Sequence, residues 1–235
     1  MIVAHGSPSA PDGPEAAMRA LAARVAKHLP GWQVRGATLA AHGALGAAVG
    51  ALRATGAPLL VYPHFMADGW FVSDELPRRL RLAGAVGAEV LAPLGLDPAL
   101  PGLCLHRARE GAEAAGIVPG AATLLIAAHG SPSDARPRAA AERVARAVAA
   151  TGVFAAVRTG YVDEAPYLAD AARIEGPALC LPLFAGRAGH VEQDLPEALA
   201  EAGFGGPLLD PIGTDEGIPA LIAAALGAHL ERRAA

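Results

Sequence analysis

The chain has 235 residues, enough for one large domain or two of roughly 115 that each bury a core. A formal net charge of −4 gives no basic surface for a nucleic-acid partner. The 53% hydrophobic content comes largely from alanine, and the longest apolar runs, such as Leu59–Tyr62 and Leu124–Ala128, have the length of buried strands rather than membrane spans.

In chain order, the first half predicts strands at Ile2–Ala4, Gln33–Ala37, Pro58–Tyr62 and Glu89–Leu91. Helices are expected near Glu15–His28, Ala44–Ala54, Glu75–Leu82 and Pro98–Ala115. A Pro119-Gly120 break within 116–122 marks a seam. The second half repeats the order, with strands at Leu124–Ala128, Ala155–Thr159, Ala178–Leu181 and Pro207–Leu209. Its helices are expected near Arg138–Ala150, Pro166–Ile174, Leu195–Ala202 and Glu216–Arg232. Strict β–α alternation with continuously apolar strands predicts parallel sheets covered by helices on both faces. The expected fold is α/β: two similar doubly wound parallel-sheet lobes, residues 1–118 and 119–235, facing a central cleft. With a strand-like segment at Ile2 and no charged segment before it, no signal peptide is expected. Cys104 and Cys180 form no C-x-x-C pair, so a cytoplasmic protein with two reduced, buried thiols is expected. Lys27 is the only lysine, which removes a Walker A motif and any Schiff base on another lysine.

The two halves are copies. Ile2–Ser9 returns as Ile126–Ser133, each carrying Ala-His-Gly-Ser-Pro-Ser. Pro63-His64-Phe65 matches Pro182-Leu183-Phe184, Leu76-Pro77 matches Leu195-Pro196, and Pro93-Leu94-Gly95 matches Pro211-Ile212-Gly213. Motifs recurring in one order at one spacing mean duplication of a domain-sized unit.

Ligand sites in such sheets lie beyond the carboxyl ends of the strands, where His5, His129 and the loop holding His190 fall. A neutral imidazole ligates cobalt, iron, nickel or zinc, and its ordinary pKa of about 6.5 also lets it accept protons. His129 and His190 are the leading candidates. Aligning the repeats puts Phe71 opposite His190, so the first lobe keeps His5 but has an aromatic ring where the second has its other imidazole. The second lobe therefore reads as the working copy. His5 is either a further metal ligand contributed across the cleft or a relic held by its loop. Glu192, two residues past His190, is either a proton acceptor or part of a solvated loop. Asp194-Leu195-Pro196-Glu197 has capping-box spacing, and Asp163-Glu164 reads as the start of a helix. Ser7 and Ser131 lack a Gly-x-Ser-x-Gly elbow, which removes a hydrolase nucleophile. Trp70 and Phe71 form either an apolar wall for a flat ligand or a cover over the sheet edge.

The second half resembles the class II chelatases of tetrapyrrole biosynthesis, the sirohydrochlorin cobalto- and ferrochelatases of the CbiX, SirB and CbiK group. The resemblance rests on Leu124–Ser131 with its Ala-His-Gly-Ser, on Pro182-Leu183-Phe184 followed by Gly189-His190-Val191, and on Asp194-Leu195-Pro196 and Asp210-Pro211-Ile212-Gly213. It implies a bilobal fold over the whole chain and ATP-independent metal insertion, with His129 and His190 binding the metal. Phe71 departs from the family pattern. A polycarboxylate substrate would call on arginine, with Arg187 first, then Arg136 and Arg138, and on the Ser131 hydroxyl. No permanently bound cofactor is implied; cobalt, iron or nickel would be a substrate beside the tetrapyrrole. A non-catalytic tetrapyrrole or metal carrier is the rival reading, and a monomer and a homodimer both stay open.

Overall fold

The computed structural model describes residues 1–187 and 190–234; the side chains of His190 and Ala234 are outside the description. Seven strands and eight α-helices are described. The first repeat contains β1 (Ile2–Ala4), α1 (Asp12–Ala26), β2 (Gly36–Thr38), α2 (Ala44–Arg53), β3 (Leu60–Pro63), α3 (Leu76–Leu82), β4 (Glu89–Val90) and α4 (Leu100–Ala114). The second contains β5 (Thr123–Ala128), α5 (Ala135–Ala149), β6 (Ala156–Tyr161), α6 (Leu168–Ala171), β7 (Ala178–Pro182), α7 (Leu195–Glu201) and α8 (Ile218–Ala234).

All strand pairs are parallel. The orders are β2-β1-β3-β4 and β6-β5-β7, so each repeat builds the same three-strand centre. The expected strand 207–209 is reduced to a single bridge between Cys180 and Leu208. Pro207 brings no N–H to a ladder there, and Gly205-Gly206 before it favours no extended pairing. The central strands are buried along their length, apart from the partly buried Thr123 at the start of β5, as sheets covered on both faces require.

The molecule packs as two compact units, and their limits differ from those of the sequence repeat. One joins Met1–Asp97 with the segment from Glu216, and the other is Pro98–Asp215. The last helix of each repeat thus packs in the other unit. In the first unit α8 lies against α1 and β3, and His229 Nε2 sits 2.9 Å from Glu89 Oε2. In the second, α4 lies against α5 and β7.

Each repeat uses one glutamate of its first helix to pin its second strand. Glu15, in α1, accepts hydrogen bonds from the Thr38 backbone N–H (2.7 Å) and hydroxyl (2.9 Å) and pairs with Arg19. Glu142, in α5, accepts from the hydroxyls of Thr159 and Tyr161, both at 2.9 Å. Burial pushes the Tyr161 phenol up to about 12, with smaller contributions from its neighbours, so it stays a donor to Glu142 at neutral pH.

Candidate metal and tetrapyrrole site

In each repeat the centre of the sheet has the order in which the connections diverge between its first and third strands, β1/β3 and β5/β7. Ligands of open α/β sheets occupy that crevice. In the second unit the loop from His129 leaves β5, and the chain from Leu183 leaves the neighbouring β7 and leads to His190.

The His-Gly pair has a backbone reason. Gly130 turns the chain at φ +74°, and a Cβ there would stand 2.8 Å from Glu164 Cγ. Only glycine meets both conditions cheaply. The turn is held from three sides. Ser131 N–H donates to Glu164 Oε1 at 3.0 Å, Asp163 N–H donates to the His129 carbonyl at 2.9 Å, and the Arg138 guanidinium lies 3.6 Å from Glu164 Oε2. Arg138 also stands over the Tyr161 ring at 5.4 Å. His129 Nδ1 is 3.1 Å from the Gly130 carbonyl and 3.2 Å from Asp163 Oδ2. Both neighbours only accept, so a neutral ring carries its proton on Nδ1 and its lone pair on Nε2, the nitrogen suited to a metal. Phe184 flanks the ring, with centroids 6.5 Å apart.

The Pro-x-Gly motif braces the other loop. Gly213 N–H donates to the Phe184 carbonyl at 2.9 Å, and a Cβ on Gly213 would meet the Ala185 carbonyl oxygen at 2.4 Å. Gly95 does the same in the first repeat, bonding the Phe65 carbonyl against the Met66 backbone. Beyond each braced loop the chain enters a π-helical turn, Phe71–Glu75 and His190–Asp194, that runs directly into α3 or α7. These turns are wider than the α-helical starts the sequence predicts, and such bulges are frequent at functional sites. Asp194 stands at the N-cap position of α7 in helical conformation and makes no side-chain cap bond, because the π-turn before it already continues the helix. Asp163 and Glu164 cap nothing either: α6 starts only at Leu168.

The expected site residues are placed as follows. His129 is half exposed at the end of β5, with the backbone of His190 at the start of the π-turn after β7. The His190 side chain lies outside the described residues. Glu192 is exposed in the first turn of that π-helix. Ser131 belongs to the His129 turn through its N–H, and its hydroxyl is 3.4 Å from that of Ser133. Arg187 pairs with Asp210, itself in the Pro-x-Gly segment. Arg136 is spent on Asp134, the N-cap of α5, through its backbone N–H and its guanidinium. In the first unit Phe71 meets the His5 ring edge-on at 4.3 Å, with Trp70 and Phe65 against its other sides at 5.1 and 6.5 Å. Trp70 is 55% exposed and Phe71 39%. Among the described residues no three His, Cys, Asp or Glu side chains converge as a metal cage. A depression of about 460 Å³ beside α6 and α7, lined in part by Asp170, Asp194, Glu197 and Glu201, does not include His129.

Asp163 is the residue that sequence reasoning missed as a neighbour of His129. The strand register carries the signal: Ala4 pairs with Thr38 as Ala128 pairs with Tyr161, so Asp163 and Glu164 correspond to Ala40 and Ala41.

The doubled parallel α/β unit is the fold of the tetrapyrrole chelatases. A model of the CbiX family matches residues 1–111 and 123–229, and the chain belongs to that family. A solved CbiX, described as the terminal enzyme for biosynthesis of siroheme in denitrifying bacteria, is 48% identical, with 97% of each chain covered and a TM-score of 0.87. SirB from Bacillus subtilis with Fe3+ is 16% identical over 96% of this chain and 92% of its own, with a TM-score of 0.74, which shows the shared fold. A multidomain protein of Deinococcus radiodurans with structural similarity to chelatases is 23% identical over 95% of this chain and 53% of its own (TM-score 0.71). No curated protein matches in sequence.

Proposed function

We propose that this protein is a metallochelatase that inserts cobalt or iron into sirohydrochlorin, or a related polycarboxylate tetrapyrrole, without ATP, for siroheme or cobalamin biosynthesis. The observation that carries the reading is the 48% identity, over 97% of both chains, to an enzyme that completes siroheme. The His129 geometry supports it, because Nδ1 faces two acceptors, which puts the lone pair of a neutral ring on Nε2.

His129 and His190 hold the divalent metal, and His5 is the remaining candidate ligand. Insertion replaces two pyrrole N–H protons by one M2+, so two protons must leave; Glu192, exposed near His190 in sequence, takes them on toward solvent. The Ser131 hydroxyl holds substrate carboxylates, and Arg187 does so by turning from Asp210. Arg136 does so only by giving up Asp134. Trp70 and Phe71, exposed on the first unit, are an aromatic face on which a flat ligand can stack. Bending the macrocycle so that its nitrogen lone pairs meet the metal is the main route to a lower barrier. No helix among the described residues is long and apolar enough to cross a membrane, in keeping with a cytoplasmic biosynthetic role.

Anaerobic incubation with sirohydrochlorin and, separately, Co2+, Fe2+ and Ni2+ tests the reading by absorption spectra. An enzyme gives many product molecules per chain. Product that stops at one per chain would replace it with a carrier of tetrapyrrole or metal.

A further inference from the structure

We propose that the open edge of the first sheet is a docking surface for a second copy of this chain, joined β4 to β4 about a two-fold axis. The Glu89 and Leu91 N–H groups bond to the Leu59 and Val61 carbonyls beside β3, so the N–H and C=O of Val90 between them point to the open side. The other sheet edges are closed. Strand β2 is buried along its length and held by Glu15, β7 is bridged by Leu208, and β6 carries the exposed Arg158. On β4 the one charge, Glu89, is turned to His229 and Arg233 of α8. A strand edge with no charge to guard it invites a further strand.

The surroundings of that edge are apolar where those of the second repeat are not. Leu82 and Val86, on the segment that leads into β4, are 73% and 77% exposed, and Val90 is 38% exposed. The segment is anchored: Ala85 is buried in the core, and its N–H bonds to the Leu80 carbonyl at 2.8 Å. The second repeat makes the same turn, with the Phe204 N–H on the Leu199 carbonyl at 2.9 Å. It sets Glu201 and Gly205 where the first repeat has Leu82 and Val86, so the turn itself asks for no apolar residue at either place. A depression of about 250 Å³ beside the strand is lined in part by Leu80, Arg81, Ala85, Val86 and Val90.

A second copy fits because the patch is self-complementary. Val90 offers one donor and one acceptor, and two such residues facing each other across a two-fold axis exchange both bonds as an antiparallel pair. The patch also carries both an exposed apolar side chain, Val86, and a depression to receive one. These side chains and one short strand edge fall well short of the ~800 Å² that each partner gives to a standard interface, so the dimer is a weak one.

Sedimentation velocity of the full chain from micromolar to near-millimolar concentration tests the proposal. The average mass of wild type should rise toward twice that of the monomer, and further with added salt, which screens the paired Arg81 charges. Val86→Glu, at a side chain mostly in solvent, should keep the protein monomeric by setting a carboxylate in the apolar contact of each copy. Val90→Pro removes only the outward N–H and leaves the bonds to β3 intact. It should weaken association roughly tenfold or more, the effect of two lost hydrogen bonds. In hydrogen exchange the wild-type Val90 amide should be more protected in concentrated than in dilute solution. Wild type that stays monomeric throughout would overturn the proposal and leave the edge to another protein's strand. A dimer that both variants leave intact, or a Val90 amide indifferent to concentration, would overturn it as well.

Discussion

A histidine tied through Nδ1 to acceptors offers its other nitrogen to a metal, and His5 and His129 are both tied in this way. They differ in the second ring face: His5 is packed on Phe71, and His129 lies near Phe184 and Asp163. His5→Ala should therefore reduce metal insertion less than His129→Ala does, as compared in steady-state rates. A His5 variant as inactive as His129→Ala would make the first repeat part of the metal site. The thiols are predictable from burial alone. Loss of solvation, first of all, pushes both Cys104 and Cys180 up to about 12, with the Asp215 carboxylate adding to the effect at Cys104. Almost no thiolate exists at pH 8, so iodoacetamide should label neither cysteine in the folded protein and both after denaturation, as mass spectrometry would record. At this scale the repeat made His129 legible, since a histidine in a duplicated strand-end motif is visible without coordinates. The place of Asp163 beside His129 was not, because an acidic residue near a strand end reads first as a helix cap; the strand register sets it where the first repeat has Ala40.

The helical elements were legible in kind more than in form. The apolar period placed α3 and α7, but the π-turns before them escaped it, because a widened turn shifts only a few residues of the pattern. The expected helix 166–174 shrank to Leu168–Ala171, since Pro166 precedes it and Gly176-Pro177 closes it off. The Pro-x-Gly motif was visible as a repeat without a reason, and the reason is contact: Gly213 lies against the Ala185 backbone, which carries the loop toward His190. Gly213→Ala should cost about 1–3 kcal/mol, the usual range for overpacking, in denaturant unfolding, and should slow insertion as well. At the junction of the first π-turn with α3, hydrogen bonds from Arg78 and then Arg79 hold the Glu75 carboxyl down at about 2, against an ordinary 4.5. A pKa depressed by folding stabilises fully above the unfolded value and is lost as pH falls from about 4.5 through about 2. Glu75→Gln should flatten that part of the curve of thermal midpoint against pH and leave its shape near neutrality unchanged.

For the whole molecule, the duplication and the parallel α/β class were readable because motif order and β–α alternation are properties of sequence. The exchange of last helices was not, because α4 and α8 occupy equivalent places in the repeats and nothing in their composition names the sheet each will cover. The exchange makes the repeat and the compact unit different objects. In α8, Ile218, Leu221, Ile222 and Leu226 are buried. At roughly 1.5–3 kcal/mol for each such side chain, their loss is comparable with the ~5–15 kcal/mol that holds a domain folded. Residues 1–118 expressed alone should therefore lack cooperative unfolding in denaturant, and co-expression with 119–235 should restore it. A cooperative transition of 1–118 by itself would show that α8 is dispensable to the first sheet.

The central claim, a chelatase working through His129 and His190, is tested most directly by multiple-turnover insertion of Co2+ into sirohydrochlorin under anaerobic conditions. Wild type, His129→Ala and His190→Ala would be compared, with thermal melts confirming that each is folded. The account predicts many turnovers for wild type and, for each variant, a rate lower by more than the roughly 10–100-fold that loss of an outer partner costs. Near-wild-type turnover in either folded variant would contradict it.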